Sequence, residues 1–112
     1  MTTQDSTMVR TTTQRRAAEN PDLLPPFNVI LIDDNDHTYD YVIELCSKVF
    51  AHPKEKGFQF AKEVDTEGRV ILLTTTKEHA ELKRDQIHSI GPDWRLDRSK
   101  GSMTAMIEPA DE

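Results

Sequence analysis

The residues best placed to do chemistry form one acidic turn, Asp33-Asp34-Asn35-Asp36-His37-Thr38. It is entered from an apolar run and left through Tyr39, Tyr41 and Val42. Carboxylates gathered where a strand gives way to a helix suit a cation, either a metal ion or an ammonium group. For calcium, Asp33, Asn35 and His37 hold alternate positions and Glu44 falls at the twelfth. The sixth position, where a calcium loop needs Gly for its sharp turn, holds Thr38, so that reading is set aside. Hydrolytic chemistry lacks its parts. His37, His52, His79 and His88 are scattered, and no nucleophile motif precedes a helix. Cys46 falls in a helical apolar stripe, where a cysteine is a small buried side chain rather than a nucleophile. The sequence therefore reads as a binding protein, neither an enzyme nor a carrier of metal or cofactor.

A binding site can be built from spacing. Tyr39 and Val42 are three apart on one helix, and Ala61, Val64 and Asp65 share a face of the next. Packed side by side, those faces give an apolar pocket rimmed by Asp33 and Asp34. It would fit a ligand with a positive end and an apolar body. The same spacing also describes ordinary core beneath a solvated turn, and spacing alone favours that plainer reading.

The elements that must position these residues follow from periodicity. Phe27 to Ile32 is apolar on both faces, as in a central strand. A helix is predicted from Tyr39 to Phe50, its stripe carried by Tyr41, Leu45, Val49 and by Val42, Cys46, Phe50. Thr38 is the capping type, and Asp40 lies in the first turn where the helix dipole favours an anion. After the break at Ala51-His52-Pro53, with Pro53 as first helical residue, a second helix runs to Val64, its apolar surface carried by Phe58, Phe60, Ala61 and Val64. Gly68 turns the chain into a strand from Arg69 to Thr74. Thr75 with Glu78 signals a capping box for a third, polar helix from Thr76 to Ile90, closed by Gly91-Pro92. His79 and His88 read as solvated. Trp94 to Leu96 is expected to be extended, and Met103 to Ile107 is the last strand.

Composition bounds the class. The chain has 112 residues, 36% hydrophobic and 30% charged, which suits one small domain. Residues 1–26 are polar, aperiodic and charge-balanced, and read as a flexible extension, either without a role or as a tether or partner-contacting arm. The domain is 27–110. The net charge of −6 argues against nucleic acid as a partner. No window is apolar enough for a membrane span, the N-terminus lacks a secretory pattern, and the single cysteine excludes an internal disulfide. These features favour a cytoplasmic location.

At VILIDDNDHTYDYVIELCSKVF, EVDTEGRVILLTTTKEHAELKRDQI and SMTAMIEPA the chain resembles the ClpS family, adaptors that deliver substrates with destabilising N-terminal residues to the Clp protease. The resemblance runs from about Phe27 to Ala110. It implies an α+β fold, a three-stranded antiparallel sheet with three helices packed on one face, in the order β-α-α-β-α-β. It implies a monomer whose partners are a Clp AAA+ unfoldase N-terminal domain and substrates with a free N-terminus. The family's site positions fall at Asp33, Asp34, Asn35, His37, Tyr39, Val42, Ala61, Val64, Asp65 and Met103, and its unfoldase contacts at Glu78 and Lys83. The asparagine and histidine that hold the substrate's α-amino group in the family are here Asp33 and Asp65. Those replacements keep a second reading open, a domain of this fold that docks on a partner without reading N-termini.

Overall fold

The computed structural model describes residues 24–110. Most of the expected extension therefore lies outside the described residues; Leu24, Pro25 and Pro26 lie within them. The elements are β1 (Phe27–Ile32), α1 (Tyr39–Phe50), α2 (Lys54–Glu67), β2 (Arg69–Thr75), α3 (Lys77–His88) and β3 (Ala105–Pro109). This is the expected α+β order. The sheet runs β2-β1-β3 with both pairings antiparallel, so β1 is central. Among the described residues no helix is long and apolar enough to cross a membrane.

Strand alternation divides the sheet into two faces. Val29 and Leu31 of β1, Val70 and Leu72 of β2 and Ala105 of β3 join the core with Tyr41, Val42, Leu45, Cys46 and Val49 of α1, Ala61 and Val64 of α2, and Ala80 and Ile87 of α3. A bulge between Val29 and Ile30 leaves Leu72 as the extra residue of β2. It lets Leu72 and its neighbour Leu73 both pack on the core, which strict alternation would forbid. On the opposite face Ile30 lies between its partners Ile71 and Met106. Arg69 Nη2 reaches Glu108 Oε2 at 2.7 Å across the three strands.

The two hairpinned helices α1 and α2 meet at a close approach. A Cβ on Gly57 would stand 3.0 Å from Ile43 Cα. Gly57 thus serves the seam between α1 and α2, although inside a helix it costs about 1 kcal/mol relative to Ala.

Several local expectations shift. Pro53 is the N-cap of α2 rather than its first residue, and α2 runs to Glu67, one turn past Val64, ending on Gly68 at φ 86°. The cap of α3 is Thr76, which accepts from the His79 N–H, and not Thr75. Thr75 instead closes β2 opposite Phe27. The last strand starts at Ala105, and His88 is not simply solvated, because its Nε2 accepts from the Ala105 N–H at 3.1 Å. Trp94–Leu96 is turn rather than extended. The Leu96 N–H bonds the Asp93 carbonyl, and the Asp93 carboxylate takes the Arg95 N–H, local bonds that bend the chain.

Candidate functional site

The site forms where β1 runs out. The Asp33 N–H donates to the Gly68 carbonyl at 3.0 Å, which ties the end of β1 to the end of α2. Gly68 lies three residues beyond Asp65, so this one bond sets Asp33 beside Asp65. The Asp33 carboxyl is raised above its ordinary range, first by burial and then by the charge of Asp65. Among the described residues neither carboxylate has an ion-pair partner.

Tyr39 opens α1 under the cap of Thr38, whose hydroxyl accepts from the Tyr41 N–H. The Tyr39 ring crosses to α2. Its hydroxyl donates to Asp65 Oδ2 at 2.7 Å, and its edge meets the Phe58 ring at a centroid distance of 5.7 Å. The phenol pKa is raised because that bond to Asp65 holds the proton. The aliphatic site positions lie deeper. Val42, Ala61, Val64 and Met103 are between 0% and 3% exposed, so the apolar pocket expected there is closed.

Asp34, Asn35 and His37 build the turn, although the Asp34 backbone and charge also act on the Asp33 carboxyl. Asp34 Oδ1 accepts from the Asp36 N–H at 2.9 Å and lies 2.8 Å from His37 Nδ1. His37 Nε2 lies 2.7 Å from the Gly101 carbonyl, and the ring packs 4.5 Å from that of Tyr41. Asn35 is exposed, and its carbonyl accepts from Arg98 Nε.

Sequence reasoning missed the residues that hold the turn from outside. Asp93 has a fully buried side chain. Its Oδ2 accepts from the Thr38 N–H at 2.7 Å and the Thr38 hydroxyl at 2.8 Å, and its Oδ1 from Arg95. Burial pushes the Asp93 carboxyl up, but these donors outweigh it and bring the pKa down to about 2. Arg95 also bonds Glu44 at 2.6 Å, and the Tyr41 hydroxyl donates to the Gly91 carbonyl at 2.5 Å. The legible signal was Gly91-Pro92-Asp93 followed two residues later by Arg95, an aspartate placed to accept from the backbone two positions on.

Elsewhere, burial lifts the Cys46 thiol to about 12, which leaves no reactive thiolate at neutral pH. Among the described residues no three His, Cys, Asp or Glu side chains gather so as to hold a metal ion. On α3, Glu78 is exposed. Lys83 is half-buried rather than free, its Nζ donating to the Val49 carbonyl at the end of α1.

The paired carboxylates can take a positive group in charge-assisted hydrogen bonds, and the surrounding architecture is shared with known proteins. Residues 23–92 match the family model of ClpS, the ATP-dependent Clp protease adaptor protein. The chain is similar to the ATP-dependent Clp protease adapter protein ClpS of Nautilia profundicola, 30% identical over 64 residues. That match covers 57% of this chain and 66% of the relative, just under two thirds of its length. The fold is that of Agrobacterium tumefaciens ClpS2 solved with L-phenylalaninamide bound, at a TM-score of 0.67 and 16% identity, covering 77% of this chain and 98% of that one. With more than half its length matched by the family model, this chain belongs to the ClpS family of Clp protease adaptor proteins.

Proposed function

We propose that this protein is an adaptor that holds the free N-terminus of substrate proteins and passes them to a Clp AAA+ unfoldase in the cytoplasm. The observation that carries the reading is the pairing of Asp33 with Asp65 above the apolar residues Val42, Ala61, Val64 and Met103. Two carboxylates with no ion-pair partner among the described residues suit a substrate ammonium, and charge-assisted bonds of this kind are about twice as strong as neutral ones. The relative from Agrobacterium tumefaciens was solved with an amino-acid amide that has a free amino group and an aromatic side chain. Here the ammonium would lie between Asp33 and Asp65, with the first side chain directed past Tyr39 toward the aliphatic residues. Asp34, Asn35 and His37 keep the turn in shape. Glu78 and Lys83 are the candidate contacts to the unfoldase, with residues 1–26 acting in hand-off.

A second reading has its own observation. Because Tyr39 already occupies Asp65 and the aliphatic residues are covered, the domain would dock on a partner as a modulator without reading N-termini.

Titration of peptides with a free or an acetylated N-terminus separates the two. The adaptor reading expects acetylation to abolish binding, and Asp65→Asn to weaken binding of the free peptide by about tenfold or more. Equal binding of both peptides, or of neither, leaves the modulator reading.

A further inference from the structure

Beside the acidic pair, on the far side of Tyr39, an open groove of about 510 Å³ runs along the seam of α1 and α2. Its apolar part is Ile43 and Phe58, the latter 48% exposed, and its rim is Lys54, Glu55, Gln59 and Lys62. Lys54 and Glu55 offset one another at the far end. Lys62 has no ion-pair partner among the described residues. Phe58, Lys62 and Asp65 recur at helical spacing on one stripe of α2, so the groove and the acidic pair form one continuous track. The Tyr39–Phe58 aromatic contact stands at their junction.

We infer that this groove takes the residues that follow the substrate's N-terminus, with an acidic side chain at the second or third position and an apolar one at the fourth. The inference rests on the N-terminal reading of the acidic pair. The positions come from helix and strand geometry. Along α2 the rise is about 1.5 Å per residue, which puts Lys62 ~4.5 Å and Phe58 ~10.5 Å from Asp65. An extended peptide advances about 3.3–3.6 Å per residue. From an ammonium held at Asp65, Lys62 is therefore one to two residues along the peptide and Phe58 about three. The charge sequence of the track is negative, positive, then apolar. Its complement is an ammonium, then a carboxylate, then a hydrocarbon side chain. The lysine is exposed, so its selectivity is modest and sensitive to salt.

The test uses peptides of one length with Leu at the first position. Glu or Lys stands at positions two and three, and Leu or Ser at position four, each peptide with an acetylated twin. The full chain and its Lys62→Glu and Phe58→Ala variants are titrated with this set at low salt. The Glu peptides should bind the full chain about threefold or more tightly than the Lys peptides, and Lys62→Glu should reverse that order. Phe58→Ala should abolish the preference for Leu at position four. Phe58 is half-exposed, so the variant keeps its core. A free N-terminus that is required while positions two to four make no difference overturns the groove and leaves the acidic site standing. Acetylated peptides that bind as well as free ones overturn both.

Discussion

The hydroxyl of Tyr39 donates to Asp65 Oδ2 at 2.7 Å, so a side chain of the protein occupies the carboxylate that a substrate ammonium would use. An ammonium at Asp65 would therefore either displace this bond or share the carboxylate with it through Oδ1. Tyr39→Phe removes the competing hydroxyl and keeps the ring against Phe58, and should tighten binding of free-amine peptides by about threefold. Tyr39→Ala also uncovers the aliphatic residues, so peptides with bulky first residues should gain most. Calorimetric titration of both variants checks this; Tyr39→Phe binding no more tightly than wild type would show that the phenol does not compete.

Asp33 should trade stability for binding. Its carboxyl is raised by burial and by Asp65, so the folded state holds that proton more tightly than the unfolded chain does. Its contribution is favourable below the ordinary carboxylate range and is lost as pH rises through the raised value, which leaves a cost at pH 7. Asp33→Asn should melt higher than wild type at pH 7, the difference vanishing in acid, while binding free-amine peptides more weakly. Wild-type affinity should fall as pH drops through the raised value. Melting curves and titrations between pH 3.5 and ~7 follow both effects, and an Asp33→Asn variant no more stable at neutral pH would contradict the account.

Asp93 should act in the opposite sense. Its pKa falls from 3.8 to about 2 in the folded protein, so its contribution is complete above 3.8 and fades as pH falls through that interval. Asp93→Ala strands the Thr38 N–H and should cost roughly 3 kcal/mol. Asp93→Asn should flatten the stability profile in this acid range. Denaturant unfolding at stepped pH is the check, and an unchanged acid limb in Asp93→Asn would remove Asp93 from the account.

Gly57→Ala weighs two opposed effects. Alanine gains about 1 kcal/mol in helix propensity. Its Cβ would stand 3.0 Å from Ile43 Cα, an obstacle that is backbone and cannot rotate aside. Forced separation of packed elements costs roughly 1–3 kcal/mol, so the variant should melt lower than wild type. A melting temperature equal to or above wild type would show that the seam parts freely.

The sequence made β1 and α1 legible to the residue, because a continuous apolar run stops at Asp33 and a helical stripe starts under a threonine cap. The end of α2 was less legible, since the apolar residues stop at Val64 while the helix continues to its glycine. The choice between Thr75 and Thr76 as a cap depended on register against Phe27, which no local pattern contains. In the site, spacing put Tyr39 on a face of one helix and Asp65 on a face of the next, without deciding whether they or Asp33 meet. The bond of Tyr39 across two helices, and the turning of His37 toward Gly101, are tertiary choices. Asp93 was hidden because a lone aspartate in a polar loop looks solvated until its donors are known.

The turn's anchors Asp93 and Gly101 lie beyond residue 92, where the match to the family model stops. The posture of the acidic turn is thus set by a segment that follows the part matched by the family model. Two relatives alike at every position from 33 to 65 need not grip the same molecule. A chimera that exchanged residues 93–104 would transplant a different setting of the turn without altering one side chain of the turn itself.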